Sequence, residues 1–224
     1  MPGSPLRRGA LWALTAGAFV ADWVAVATSN RPLELVAKPG AMVALGAASI
    51  GSGLLQRPWG RAVTTGLAFG LIGDVCLLWG EHEPAFLAGL SSFLIGHLAY
   101  VVAFRQMGTH RTWWALGGAA VVAGCAWWSR DALPNLLADG GVAAAAPVAA
   151  YMGVIAAMTV GAWATKDPLV AIGSSIFVLS DTVIAVDQFV APVEHSGLKI
   201  MVPYLLGQAL VAIGAVRRRA PALP

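Results

Sequence analysis

The chain of 224 residues is 58% hydrophobic and only 11% charged, with a mean hydropathy of +0.74. Soluble domains carry about 25% charged and about 45–50% apolar residues, so this composition excludes a soluble globule, a disordered chain and a nucleic-acid-binding domain. It points to an all-α polytopic membrane protein. The net charge of +3 comes from Lys and Arg scattered in ones and twos, Arg217 to Arg219 being the one consecutive run, a distribution suited to membrane orientation rather than to nucleic acid. Cys76 and Cys125 both fall inside apolar stretches and imply no disulfide framework.

A spanning helix needs about 20 mostly apolar residues, because hydrocarbon offers no partner for a backbone amide. Eight runs qualify in chain order, at about 9–28, 33–55, 62–79, 85–105, 112–129, 142–164, 168–190 and 198–216, and predict a single integral membrane domain over residues 1–224. Arg7-Arg8, the first apolar run and Ala25-Val26-Ala27 imitate a cleavable signal peptide, but Asp22 inside the run and its length predict a retained first helix. The breaks carry charge, Pro or Gly, as at Asn30-Arg31-Pro32, Glu81-His82-Glu83-Pro84 and Lys166-Asp167-Pro168. Proline has no donor to lose in a helix's first turn, so Pro32, Pro84 and Pro168 mark helix starts.

Eight spans put both termini on one side, and the positive residues agree. Ten of the 14 Lys and Arg lie in the termini and in the loops after the second, fourth and sixth runs; Arg31, Arg130 and Lys199 lie on the other face, and Lys38 inside the second run. The bias predicts cytoplasmic termini in the plasma (inner) membrane. A shift of 107 residues also places Leu71-Ile72-Gly73-Asp74 on Val178-Leu179-Ser180-Asp181 and Gly96-His97-Leu98 on Pro203-Tyr204-Leu205. This weak 4+4 repeat makes runs 3–4 and 7–8 matching hairpins, as a duplicated four-helix unit would.

Ionisable groups inside a membrane are costly, so they face the protein interior, pair, and mark function. Here they are Asp22, Lys38, Asp74, His97 and Asp181, with Glu34 and Asp187 nearer the interface. At 1.5 Å per residue Asp22, Asp74 and Asp181 lie roughly 18–20 Å in from the cytoplasmic ends, and Lys38, entering from the other side, reaches a comparable level. Gly66, Gly70 and Asp74 share a helix face, as do Gly173, Phe177 and Asp181, then Gly89, Phe93, Gly96, His97 and Tyr100, and finally Tyr204 with Gln208. Helices 3, 4, 7 and 8 are therefore expected to enclose a cavity containing Asp74, His97, Asp181 and Tyr204. Asp22 is expected to pair with Lys38 structurally, and Asp187 to sit on a different face.

At these residues the sequence resembles a family. An early Lys38-Pro39, then Gly73-Asp74-Val75, Gly96-His97-Leu98-Ala99-Tyr100, Ser180-Asp181 and Tyr204 with Gln208 resemble, in this order over about residues 10–216, the YhhN/lysoplasmalogenase family of eight-span membrane proteins. The resemblance implies a hydrolase of the vinyl ether bond of lysoplasmalogens, yielding a fatty aldehyde and a glycerophospho-base. Such cleavage protonates the β-carbon of the double bond, and water then attacks the resulting oxocarbenium ion. One protonated and one ionised acid are needed, and two carboxyl groups in a poorly hydrated site favour that division. Asp74 and Asp181 fit the two catalytic roles in either order. Lys38 suits a substrate phosphate, and His97, Tyr100, Tyr204 and Gln208 suit orientation of water or lipid hydroxyls.

Other machinery is poorly represented. His82, His110 and His195 fall in loops, leaving His97 alone in the membrane and no multi-histidine zinc site; there is no Gly-x-Ser-x-Gly, phosphate-binding loop or dinucleotide fingerprint. The expectation is an ether-lipid hydrolase without metal or organic cofactor, whose partners are the bilayer and a membrane lysolipid, with no nucleic acid. A proton-coupled transporter of lipids or small molecules using the same acids is the alternative. The orientation is tested by reporter tags: both termini are expected to report from the cytoplasm, and opposite reports would show a miscounted span or a cleaved first helix.

Overall fold

The computed structural model describes residues 4–131 and 133–218; Arg219, counted above among the positive residues, lies outside them. The described residues form eight long helices, one over each apolar run: α1 (Pro5–Ala27), α2 (Arg31–Gly51), α3 (Gly60–Leu77), α4 (Glu83–Met107), α5 (Arg111–Asp131), α6 (Leu133–Ala164), α7 (Pro168–Phe189) and α8 (Ser196–Arg217). Among the described residues seven of these are long and apolar enough to cross a membrane, so the protein is an all-α integral membrane bundle. The exception is α5, whose four tryptophans, three glycines and terminal Arg130-Asp131 dilute its apolar character.

Local chemistry sets the helix starts. Pro32, Pro84 and Pro168 occupy first turns, and Asn30 and Asp167 cap α2 and α7 by accepting backbone N–H groups of Leu33, and of Leu169 and Val170. Two boundaries differ from the apolar runs. Helix α2 stops at Gly51 because Gly53, at φ 93°, turns the chain into a short 3-10 segment, Leu54–Gln56. The expected break around residues 130–141 is largely helical instead, and α6 is two helical pieces joined at Gly141, whose φ of 61° and ψ of −159° suit only glycine.

Consecutive helices pair as hairpins, α1 with α2, α3 with α4, α5 with α6 and α7 with α8. Helix α8 also packs on α1, α2 and α3, while α6 bridges α4 and α7. Close approach rests on glycine: a Cβ on Gly173 would come within 2.8 Å of the Gly207 carbonyl oxygen, and one on Gly207 equally near that of Gly173. At the C-terminal end of α8, carbonyls that have no partner within the helix accept hydrogen bonds from Trp59 Nε1 (to Ala215, 2.8 Å) and Arg57 Nη2 (to Val216, 2.8 Å). The α2–α3 connection is thereby fastened beneath α8. Trp59, Phe104, Met42, Leu45 and Leu205 fill the interior, whereas Val36, Val43, Leu98 and Leu179 point outward, a distribution that fits hydrocarbon surroundings.

A Cβ on Gly66 would stand 2.7 Å from the Tyr100 ring, whereas one on Gly46 meets nothing within 4 Å. Gly66→Ala is therefore expected to lower the thermal unfolding midpoint in detergent, by the overpacking cost of about 1–3 kcal/mol, while Gly46→Ala holds or raises it. Equal midpoints for the two variants would contradict this packing.

Candidate active site

A cavity of about 220 Å³ runs between α2, α3, α4, α7 and α8, from the buried Asp74 toward the α3–α4 and α7–α8 turns. Asp74, Asp181 and Tyr204 line it together with Lys38, Ser180 and Phe93. Helix α3 supplies Asp74, and the glycine stripe beside it provides the room. A Cβ on Gly70 would lie 3.0 Å from the Tyr204 hydroxyl and 3.2 Å from Gln208 Nε2, and one on Gly73 would lie 2.7 Å from the Phe93 ring. The Tyr204 hydroxyl donates to Asp74 Oδ2 at 2.8 Å. Gln208, one turn further along α8, faces Gly70 beside Tyr204 and accepts a short hydrogen bond from the Tyr100 hydroxyl. Asp74 thus ends a line of polar side chains, Tyr100, Gln208 and Tyr204, that spans α4, α8 and α3.

Asp181 is held from another side. Tyr151, on α6, stands beside it, the two side chains lining one small space. His97 Nε2 approaches Asp181 Oδ2 to 3.8 Å, beyond hydrogen-bond length, and both His97 nitrogens and that oxygen are buried without a hydrogen-bond partner. Edge-on contacts fix the imidazole, with ring centroids 5.0 Å from Phe177 and 5.5 Å from Tyr151. The preceding Ser180 has a separate task. Pro203 interrupts the α8 ladder, and Ser180 Oγ donates to the Ile200 carbonyl at 2.9 Å while Trp23 Nε1 reaches that of Met201 at 3.4 Å. The carbonyl that Pro203 deprives of a donor is that of Lys199, and these two contacts from α7 and α1 brace the carbonyls that follow it, one turn before Tyr204.

Lys38 reaches the cavity from α2, but its ion-pair partner corrects the sequence expectation. Glu34 Oε1, one turn away on the same helix, lies 2.7 Å from Lys38 Nζ, and Arg31 flanks Glu34 at 3.4 Å. Asp22 is fully buried and neither of its oxygens has a hydrogen-bond partner, so the expected Asp22–Lys38 pair is absent. The nearer Glu34 takes the ammonium. Arg31 also donates to the Leu78 carbonyl just past the end of α3, tying α2 to the helix that carries Asp74.

Two further expectations change. His97 does not line the cavity; it lies behind Asp181, enclosed by aromatic rings, and Tyr100 and Gln208 likewise support the wall rather than form it. Asp187 does line the cavity near its mouth, because the end of α7 turns there, and its Oδ1 accepts the Val193 N–H at 2.7 Å, bracing the α7–α8 turn. Sequence reasoning passed over Tyr151. The chain has three tyrosines, Tyr100, Tyr151 and Tyr204, and all three converge on the two aspartates, a scarcity that was the available signal.

The YhhN family model matches residues 33–215. Among curated proteins the chain is 31% identical over 180 residues to lysoplasmalogenase TMEM86A of Bos taurus, covering 75% of this chain and 70% of that protein, and 30% identical to the Homo sapiens TMEM86A over the same shares. It is also 31% identical to Homo sapiens lysoplasmalogenase TMEM86B, over 67% of this chain and 61% of that protein. No solved structure matches.

The Tyr204–Asp74 hydrogen bond generates a stability prediction. Tyr204→Phe and Asp74→Ala are each expected to lower the unfolding midpoint, and the double variant to fall short of the sum of the two losses by the equivalent of about 1 kcal/mol or more. Strict additivity in thermal unfolding would show that the two side chains are not coupled.

Proposed function

This chain belongs to the YhhN family, and from that membership together with the cavity we infer that it is a membrane hydrolase cleaving the vinyl ether bond of lysoplasmalogen-type lysolipids to a fatty aldehyde and a glycerophospho-base. The observation that carries the reading is that two intramembrane carboxyl groups, Asp74 and Asp181, line one cavity that also presents a cation, Lys38. The relatives named lysoplasmalogenase support the reaction class. The single-domain organisation and cytoplasmic termini form part of the same reading; with that orientation the cavity mouth opens toward the outer leaflet.

The chemistry balances on the two acids. The protonated carboxyl delivers its proton to the β-carbon, the π electrons forming the new C–H bond while an ether-oxygen lone pair makes the oxocarbenium ion. Water adds to the α-carbon through its oxygen and loses a proton to the ionised carboxylate. In the hemiacetal the bond to the glycerol oxygen then breaks; that oxygen takes the proton just received by the second acid, and the hemiacetal hydroxyl returns one to the first. One water is consumed and both acids are restored, so no cofactor enters. Lys38, held by Glu34, offers its ammonium to the phosphate, and Tyr204 orients Asp74.

Asp74→Asn and Asp181→Asn are each expected to lower aldehyde release from a lysoplasmalogen by about 10²–10⁴-fold, the usual contribution of a positioned acid or base, with lipid binding largely kept. The double variant is expected to be little worse than either single one, since the pair acts as a unit. Hydrolysis at the parental rate by both folded single variants contradicts the mechanism. Proton-coupled lipid uptake into proteoliposomes without cleavage would make the protein a carrier instead.

A further inference from the structure

A vinyl ether lysolipid diverges at its reacting bond: the oxygen side carries the polar glycerophospho group, and the β-carbon carries a long hydrocarbon chain. The main cavity carries Lys38, Asp187 and Ser180 on walls that also include Leu77, Ile200 and Met201, and its polar groups suit the first part. Beside it lies a smaller space of about 40 Å³ among α4, α6 and α7. Its walls are apolar, Leu90 from α4, Val148, Met152 and Ile155 from α6 and Ala185 from α7, apart from Tyr151 and Asp181. Phe86, Phe93, Ile184 and Asp181 line both spaces, and Asp181 is the ionisable residue they share. Leu90, Val148 and Met152 are only half-buried, so the slot opens sideways toward hydrocarbon where α6 bridges α4 and α7.

We propose that this slot is the subsite for the hydrocarbon chain of the ether lysolipid, and that Asp181, at its junction with the polar cavity, is the acid that protonates the β-carbon. The proposal rests on the ether-hydrolase reading and deepens it. The slot is small, so it grips only the methylenes next to the double bond, and the rest of the chain continues into the bilayer without leaving its native solvent. With the chain in the slot and the phosphate toward Lys38, the β-carbon faces Asp181 and the α-carbon faces the Asp74 side. Asp74, whose Oδ2 already accepts a hydrogen bond from Tyr204, is placed to accept the water proton. The two chemically similar aspartates thus acquire different tasks from the asymmetry of their surroundings. Selectivity for a hydrocarbon chain follows as well, since apolar contacts of this kind discriminate by about tenfold or more for each methylene gained or lost at best, and by less where packing is loose.

Two experiments test it. In the first, a saturated ether lysolipid, which lacks the double bond and is not cleaved, carries a photoreactive diazirine on the chain carbons next to the ether; after irradiation with the wild-type protein in lipid nanodiscs, mass spectrometry locates the label. Label on α4 and α6, around Leu90 and Met152, is the expected result, and label confined to α1, α2 or α8, or none on the protein, overturns the proposal. In the second, Ala185→Phe fills the slot and Met152→Ala widens it, and kcat/KM is compared between a long-chain vinyl ether lysolipid and its shortest counterpart, whose β-carbon carries no chain carbon to enter the slot. Ala185→Phe is expected to reduce the long-to-short ratio by about tenfold and Met152→Ala to leave it unchanged or raise it. A ratio unaltered by Ala185→Phe, whether or not both rates fall, overturns the proposal. The hydrolase reading fails separately: label in the slot without aldehyde release from the cleavable lipid refutes catalysis while leaving the subsite, whereas aldehyde release with the label elsewhere refutes the subsite alone.

Discussion

The hydrogen bond from Tyr204 to Asp74 is the contact around which the bundle is arranged. A carboxyl group inside hydrocarbon is tolerable only when protein supplies its partners, and the partner here sits on α8, far along the chain from α3. Bringing the two helices together requires a surface without a side chain, which Gly70 provides toward Tyr204 and Gln208, while Gly66 and Gly73 make the same room for Tyr100 and Phe93 of α4. Tyr100 and Gln208 extend the same polar line, and the proline-disturbed turn of α8 that precedes Tyr204 is steadied by Ser180. Remove the requirement to satisfy Asp74 and most of these features lose their reason.

The same economy explains the differences between the two acids. Asp74 receives a hydroxyl donor across a glycine-lined interface, while Asp181 faces Tyr151 and an unpaired histidine ring wedged between aromatic rings. Lys38 brings positive charge to the cavity without being sequestered by either aspartate, because Glu34 on its own helix holds it. In the proposed hydrolysis, pairing of Lys38 with Asp74 or Asp181 would compete with the substrate phosphate; pairing with Glu34 at one side of the ammonium leaves its remaining donors free to point into the cavity.

How much of this was legible in the sequence depended on whether a signal was periodic or relational. Helix positions followed from apolar runs and first-turn prolines, and the shared faces of Gly66, Gly70 and Asp74 and of Tyr204 and Gln208 followed from helical spacing. Periodicity names a face but not what packs on it. His97 shares a stripe with Phe93 and Tyr100 yet ends behind Asp181, since Phe177 and Tyr151 close over it. Tyr151 was invisible because residues 142–164 of α6 are otherwise apolar apart from Thr159 and offer no polar stripe to read. Asp22 and Lys38 shared an expected depth, but depth does not specify azimuth, and a carboxylate one turn away on the same helix reaches the ammonium first. The bend of α6 at Gly141 depends on one glycine conformation with no counterpart in hydropathy.

The proposed hydrolysis turns on one step, delivery of a proton to carbon by a carboxyl group inside the protein. It is tested most directly by running the cleavage of a lysoplasmalogen in D2O, reducing the aldehyde to its alcohol as it forms, and analysing the carbon adjacent to the alcohol carbon. An enzyme-held acid on one face of the double bond predicts a single deuterium there in a single configuration. Absence of deuterium at that carbon, or equal amounts of the two configurations, would contradict it.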